Sequence, residues 1–310
     1  MDEKSRQPTL AQLRALVAVA DALHFGDAAT RLGVSQPSVS AAIAGLETNL
    51  GALLVERSTR RVVLTPAGAS AAAHARSVLS SVDRLVGAAK HDAQPFSGPL
   101  RLGVIPTVAP YLLPLLLRTL ARRFPALHPD VKEDQTARLL LDLSAGHLDL
   151  LLLALPSGGD AVVEVPLYDE AFVLLVNEKD ALAGKSRLDP AVLRQVRLLL
   201  LDEGHCLRDQ ALDLCRQVGA TTKQPARATS LTTLSQLVAA GLGTTLLPAT
   251  AAAVEVRRGL ATATFRPPVP GRRLGLVHRE SSYRAEEYAQ IAERFRSALQ
   301  ATSLPVRVRS

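Results

Sequence analysis

Three runs of apolar residues at helical spacing, joined through one glycine turn, constrain the N-terminal part of this chain more than any other feature. Leu10, Leu13, Leu16, Val17 and Ala20 predict an amphipathic helix ending near Leu23. A short helix follows over Phe25 to Leu32, with Ala28, Ala29 and Leu32 on its inner face. Gly33 supplies the turn, and Ser35 is placed to cap a third helix whose first turn tolerates Pro37. In that helix Val39, Ile43, Leu46 and Leu50 fall at i, i+4, i+7 and i+11, so one face packs inward. Helix, short helix, glycine turn and helix is the helix-turn-helix layout.

The third helix leaves Gln36, Ser38 and Ser40 facing out at its start, beside Ser35 and Pro37. Side chains there reach base edges in the major groove of duplex DNA, and Gln suits adenine. Leu53 to Val55 and Arg61 to Leu64 predict two short strands of a wing, with Arg57, Arg60 and Arg61 aimed at phosphates or the minor groove. A plain helical hairpin with a solvated charged turn is the bland alternative; the combination favours DNA. The net charge of +7 suits a polyanion but is a weak signal by itself. Aromatic residues make up only 3% of the chain, which argues against single strands stacked on aromatic platforms.

Apolar residues then recur from Ala71 through Val78, Val82, Leu85 and Val86 to about Ala89, predicting a long linker or dimerisation helix. Lys90 to Pro99 has the polar, Pro/Gly-rich composition of a domain boundary. Beyond it, strands predicted at Leu100 to Ile105, Leu148 to Ala154, Phe172 to Val176, Val196 to Leu201, Thr244 to Leu247 and Leu274 to His278 alternate with helices, a rhythm that argues for parallel α/β sheets in two lobes with a cleft between them. The divisions expected are 1–65 for a DNA-binding domain, 66–95 for the linker helix and 96–310 for a two-lobed α/β domain. The tail from Leu304 to Ser310 is expected to be disordered. No apolar run approaches the ~20 residues of a membrane span.

Both cysteines lie in one stretch, E-G-H-C-L-R-D-Q-A-L-D-L-C, from Glu203 to Cys215. Two cysteines are too few for a disulfide scaffold, and the N-terminus lacks a signal-peptide pattern, so a reducing cytoplasm is expected. Leu207, Ala211, Leu214 and Val218 predict a helix starting at Cys206, where the helix dipole and Arg208 favour the reactive thiolate. Across nine helical residues the two thiols stand roughly 13 Å apart along the axis. A disulfide needs Cα atoms within about 7 Å, so pairing would demand refolding. Two readings stay open here: a switch, or two unrelated thiols. His205 reads equally as a proton carrier or as a surface residue.

Phosphate-binding glycine loops, a Gly-x-Ser-x-Gly elbow and His/Cys clusters with metal-ligand spacing are absent, so neither cofactor nor metal is expected. The segment F-G-D-A-A-T-R-L-G-V-S-Q-P-S-V-S-A-A-I-A-G-L-E-T-N-L-G-A-L-L-V-E-R, Phe25 to Arg57, followed by T-P-A-G at Thr65 to Gly68, resembles the LysR family of bacterial transcription regulators. Leu198 to Cys215 and R-A-T-S-L-T-T-L at Arg227 to Leu234 are similar to its peroxide-sensing OxyR branch. The resemblance implies a winged helix-turn-helix, a linker helix and a two-lobed domain like periplasmic binding proteins, in a DNA-bound homodimer or homotetramer. It implies Cys206 as the thiol oxidised by hydrogen peroxide to a sulfenic acid and Cys215 as its disulfide partner. Thr107, Thr136 and Arg279 match the branch's pocket residues, with His205, Arg208 and Asp209 beside the thiol. The partners implied are promoter DNA, hydrogen peroxide, further copies of the chain and RNA polymerase, with no membrane. The recognition helix departs in carrying Ala41, Ala42 and Ala44 and no cation between Gln36 and Leu50. Two rival readings are a LysR-type regulator of a small organic effector and a thiol peroxidase.

Overall fold

The structure is a computed structural model that describes residues 7–57, 62–91, 95–220 and 227–309. The chain forms two compact units that divide near residue 93. In the first, α1 (Leu10–Ala22), α2 (Phe25–Leu32) and α3 (Gln36–Leu50) precede a hairpin of β1 (Val55–Arg57) and β2 (Val62–Leu64), and α4 (Pro66–His91) follows. Leu16, Val19, Phe25, Ala28, Val39, Ile43 and Leu46 form its core. Ser35 caps α3, its hydroxyl accepting the Ser38 amide at 3.3 Å, and Gly33 ends α2 in the left-handed conformation that its missing Cβ permits. The Glu47 carboxylate accepts the Leu54 and Val55 amides at 2.9 and 3.1 Å and so ties α3 to the wing. At Gly68 a Cβ would stand 1.9 Å from the Leu54 carbonyl oxygen, so only glycine lets α4 pass the wing this closely.

The second unit is built on β3 (Gly98–Val104), α5 (Ala109–Arg123), β4 (Leu127–Glu133), α6 (Thr136–Ser144), β5 (Leu150–Leu155) and β6 (Val162–Asn177). It continues through β7 (Leu200–Leu201), α7 (Cys206–Val218), β8 (Arg227–Ala228), α8 (Leu231–Ala239), β9 (Thr245–Pro248), α9 (Ala249–Glu255) and β10 (Leu260–Thr264). Then come β11 (Gly271–Arg279), α10 (Ala285–Gln300) and β12 (Val306–Val308). Two separate apolar cores mark two lobes. The first packs α5 and α10 on β3, β5 and β11; the second surrounds α7, α8, β9 and β10. Strand β6 belongs to both, pairing with β11 over 162–171 and with β9 and β10 over 172–177. It is therefore one of the connections between the lobes, and the return from β10 to β11 is another.

Three expectations need correction. The sheets are mixed: β3 is parallel to β4 and β5, whereas β11 pairs antiparallel with β5 and β6, and β9, β10 and β12 pair antiparallel with β6. Apolar runs record burial and carry no strand direction, which here is set by β6 and β11 crossing between lobes in opposite senses. The predicted strand 196–201 reduces to Leu200–Leu201 and a bridge at Leu198. The tail is ordered from Leu304 to Arg309, because Leu304, Val306 and Val308 pack against the first lobe's core and Arg309 pairs with Asp169; Ser310 lies outside the described residues.

Candidate functional site

In the first unit Ser35, Gln36, Pro37 and Ser38 are exposed at the start of α3 and Ser40 is half-buried. Their backbone is fixed by the Ser35 cap and by Pro37 in the first turn. Arg60 and Arg61 lie outside the described residues, as does the side chain of Arg57.

In the second unit α7 begins at Cys206, with His205 as its N-cap residue making no side-chain cap bond. Cys206 is half-buried and packs against the core of the first lobe, although its helix belongs to the second. Cys215 is 2% exposed inside the second lobe's core. Both are free thiols. The helix between them is continuous, so about 13 Å of axial rise separates them. Burial pushes the Cys215 thiol up, keeping it protonated, whereas Cys206 stands at the first residue of the helix. His205 is buried, and that burial lowers its pKa against the partly opposing Asp202 charge.

The polar surroundings come from both lobes. Thr107, just after β3, is 2% exposed. Arg272 of β11 donates from Nη1 to the Thr107 hydroxyl at 2.8 Å and from Nη2 to its carbonyl at 3.1 Å. The Arg272 Nε donates to Glu170 Oε1 at 2.8 Å, and both side chains of this pair are fully buried. Burial works against the guanidinium charge, but the negative charges of Glu170 and then Cys206 raise its pKa above the usual value. Arg272 is thus within electrostatic reach of the thiol. Thr136 opens α6 with its hydroxyl oxygen buried and unpartnered among the described residues, and Gln210, one turn beyond Cys206, has a buried carbonyl oxygen in the same condition. Gln135 donates to the Glu203 carbonyl at 3.0 Å, joining the first lobe to the loop ahead of Cys206. A cavity of about 980 Å³ has Gln210, Glu170 and Arg272 in its lining.

The structure does not bring every expected residue to this centre. Arg279 donates to the Leu143 and Leu148 carbonyls and stands 3.7 Å from Asp149, anchoring the first lobe. The cation coupled to Cys206 is Arg272, which the sequence reading passed over. Strand alternation in G-R-R-L-G-L, with Arg273 out and Arg272 in, was the available signal. Arg208 is buried, but it turns to the Leu201 carbonyl at 3.1 Å and to Glu203 at 3.5 Å, and Asp209 is exposed. Glu170 gave no signal, since its role depends on a pairing across the sheet.

This order of elements is matched by two family descriptions. Residues 10–69 match the bacterial regulatory helix-turn-helix protein of the lysR family, and residues 93–300 match the LysR substrate binding domain. The chain belongs to the LysR family. Among LysR-family relatives, a probable hydrogen peroxide-inducible genes activator of Streptomyces viridosporus is 53% identical over 311 residues, with 99% of each chain covered. The DNA-binding transcriptional dual regulator OxyR of Escherichia coli K12 is 43% identical over 288 residues, covering 93% of this chain and 94% of its own. A full-length cysteine-to-aspartate variant of Pseudomonas aeruginosa OxyR superposes with a TM-score of 0.76 at 33% identity, covering 98% and 99% of the two chains. A hydrogen-peroxide-bound mutant of Corynebacterium glutamicum OxyR gives 0.67 at 46% identity, covering 95% and 94%. Among the described residues no helix of this LysR-family chain is long and apolar enough to cross a membrane.

Proposed function

We propose that this LysR-family chain is a hydrogen-peroxide-sensing transcription regulator that binds promoter DNA and is switched by a reversible Cys206–Cys215 disulfide. The observation that carries the reading is a half-buried thiol at a helix start, within reach of a buried arginine, joined to its buried partner thiol by an unbroken helix. The Cys206 thiolate attacks one peroxide oxygen, the O–O bond breaks, and hydroxide leaves to be protonated to water. Cys206 then carries a sulfenic acid. The Cys215 sulfur attacks that sulfur, the S–S bond forms, and the second oxygen leaves as water once protonated. Two thiols and one peroxide thus become one disulfide and two waters, and α7 must refold for the second step.

Thr107, Thr136 and Gln210 offer hydroxyl and amide groups to hold peroxide, and Arg272 supplies the field that stabilises the departing hydroxide. His205, neutral at physiological pH, flanks the thiol as a proton carrier, while Arg208 and Asp209 shape the start of α7. The chain acts stoichiometrically, as a cytoplasmic regulator and not as a peroxidase. Ser35, Gln36, Pro37, Ser38 and Ser40 face the DNA major groove, and Arg57, Arg60 and Arg61 meet its phosphates. The chain assembles with copies of itself through α4, a span of about 39 Å with Leu85 and Val86 exposed, and contacts RNA polymerase when it activates.

The decisive experiment is intact-mass measurement and peptide mapping after brief exposure of the reduced protein to a slight excess of hydrogen peroxide. Loss of two hydrogens mapped to a Cys206–Cys215 link is expected. Two free thiols after that exposure would refute the switch and turn attention to the cavity as an effector site.

A further inference from the structure

Arg272 and Glu170 face each other in register on the two strands that join the lobes. Neither side chain exposes any surface, so each charge depends on the other and on hydrogen bonds. One carboxylate oxygen of Glu170 takes the Arg272 Nε at 2.8 Å. Its second oxygen takes the Thr250 amide at 3.3 Å and the Thr250 hydroxyl at 2.6 Å, at the start of α9 in the second lobe. With Nε engaged, the guanidinium fork has one orientation left, and that orientation delivers Nη1 and Nη2 to Thr107. A planar fork held at three points cannot rock.

We propose that Glu170 is a positioning residue for the thiol chemistry: seated by Thr250, it fixes the Arg272 guanidinium against Thr107 and partly neutralises the charge presented to Cys206. This deepens the peroxide-sensing reading and rests on it. Glu170 does not touch Cys206 among the contacts of the structure, so its influence passes through Arg272. A carboxylate in this place has two separable effects. It sharpens the geometry that receives the departing hydroxide, and it weakens the positive field that favours the resting thiolate. Losing it therefore moves the two properties in opposite directions. A role confined to fold stability moves neither.

The test compares the wild-type full-length protein with Glu170→Gln, which keeps the shape and an acceptor for Arg272 but removes the charge. Two rates are measured in the reduced protein: alkylation of Cys206 by iodoacetamide across pH, and its oxidation by hydrogen peroxide followed by mass spectrometry. In Glu170→Gln the midpoint of the alkylation profile is expected to move to lower pH, because Tyr111, Tyr168 and Cys206 are then left facing an uncompensated Arg272. Peroxide oxidation per thiolate is expected to fall about tenfold, less than the loss of a direct donor to the reacting oxygen costs. Thr250→Val, which removes one donor to Glu170 and keeps the ion pair, is expected to show the same loss in weaker form; it carries the test if Glu170→Gln does not fold. An unchanged peroxide rate per thiolate in a folded variant overturns the positioning role. A wild-type Cys206 that peroxide fails to oxidise overturns the sensing reading itself.

Discussion

At the residue scale, the two thiols of one helix are prepared differently. Cys215 is kept protonated by burial in an apolar core, and Cys206 stands where one lobe meets the other. Iodoacetamide at neutral pH is therefore expected to label Cys206 well before Cys215 in the reduced protein, as peptide mapping over time would show. In Cys215→Ser, peroxide should leave Cys206 with a single added oxygen that a sulfenic-acid probe captures. Histidines make a second prediction. Burial lowers the pKa of His205 and of His278, which is 3% exposed, below the ordinary 6.5. On acidification the unfolded chain takes up these protons first, so stability is full above about pH 6.5 and is lost as pH falls below it. The melting temperature should drop between pH 7 and pH 5.5, and His205→Gln should drop less over the same interval. The sequence announced His205 and both cysteines through their clustering in thirteen residues, but it could not announce Arg272 or Glu170. Their meaning comes from a register between strands a hundred residues apart in sequence.

At the scale of elements, legibility followed periodicity. The helices α1, α2 and α3 were readable to within a residue because each has an apolar stripe, and because Gly33 and Gly51 end α2 and α3 and Ser35 caps α3. Strand β6 was half missed, since Val162 to Ala171 carries Pro166 and three acidic residues and lacks an apolar run. The structure accommodates Pro166 at a register shift opposite Gly275, where an absent amide costs the ladder little. Strand β12 was missed for the opposite reason: its alternation of Val306 and Val308 with arginines is a strand signal, but only three residues long. Its packing gives it a measurable role. Removing residues 304–310 exposes part of the first lobe's core and deletes the Arg309–Asp169 pair, which is partly exposed and contributes little. A loss of about 1–3 kcal/mol is expected from the apolar burial, read by urea denaturation of the truncated chain beside the full one. Fluorescence or circular dichroism midpoints unchanged by the truncation would show the strand to be a passive passenger.

At the scale of the whole regulatory unit, a switch in α7 matters only if the two lobes register it, and three polar ties among the described residues join them: Gln135 to the Glu203 carbonyl, Thr250 to Glu170, and Tyr111 to Glu255. The third is the most instructive. Tyr111 on α5 donates its hydroxyl at 2.9 Å to the carboxylate of Glu255 on α9, which also accepts from Thr232 of α8 at 2.9 Å. Glu255 is 6% exposed, so its charge relies on these donors. Burial first and the Glu255 bond second raise the Tyr111 pKa beyond the ordinary tyrosine range, so the phenol stays a donor at any physiological pH. Tyr111→Phe preserves the ring, which packs against both cores, and removes only the tie. It should cost about 1–3 kcal/mol, the penalty for leaving a buried acceptor short of a partner. Because the phenol is neutral, its loss removes no charge from the surroundings of Arg272, and the alkylation rate of Cys206 should not change. What should change is the disulfide equilibrium: with one interlobe bond fewer to hold the reduced arrangement, the lobes part at lower cost and the oxidised form gains. Titration against dithiothreitol redox buffers would then find Tyr111→Phe oxidised at a more reducing potential than wild type. An unshifted midpoint would mean that α7 refolds without disturbing the contact between the lobes, and that the signal leaves the site through the second lobe alone.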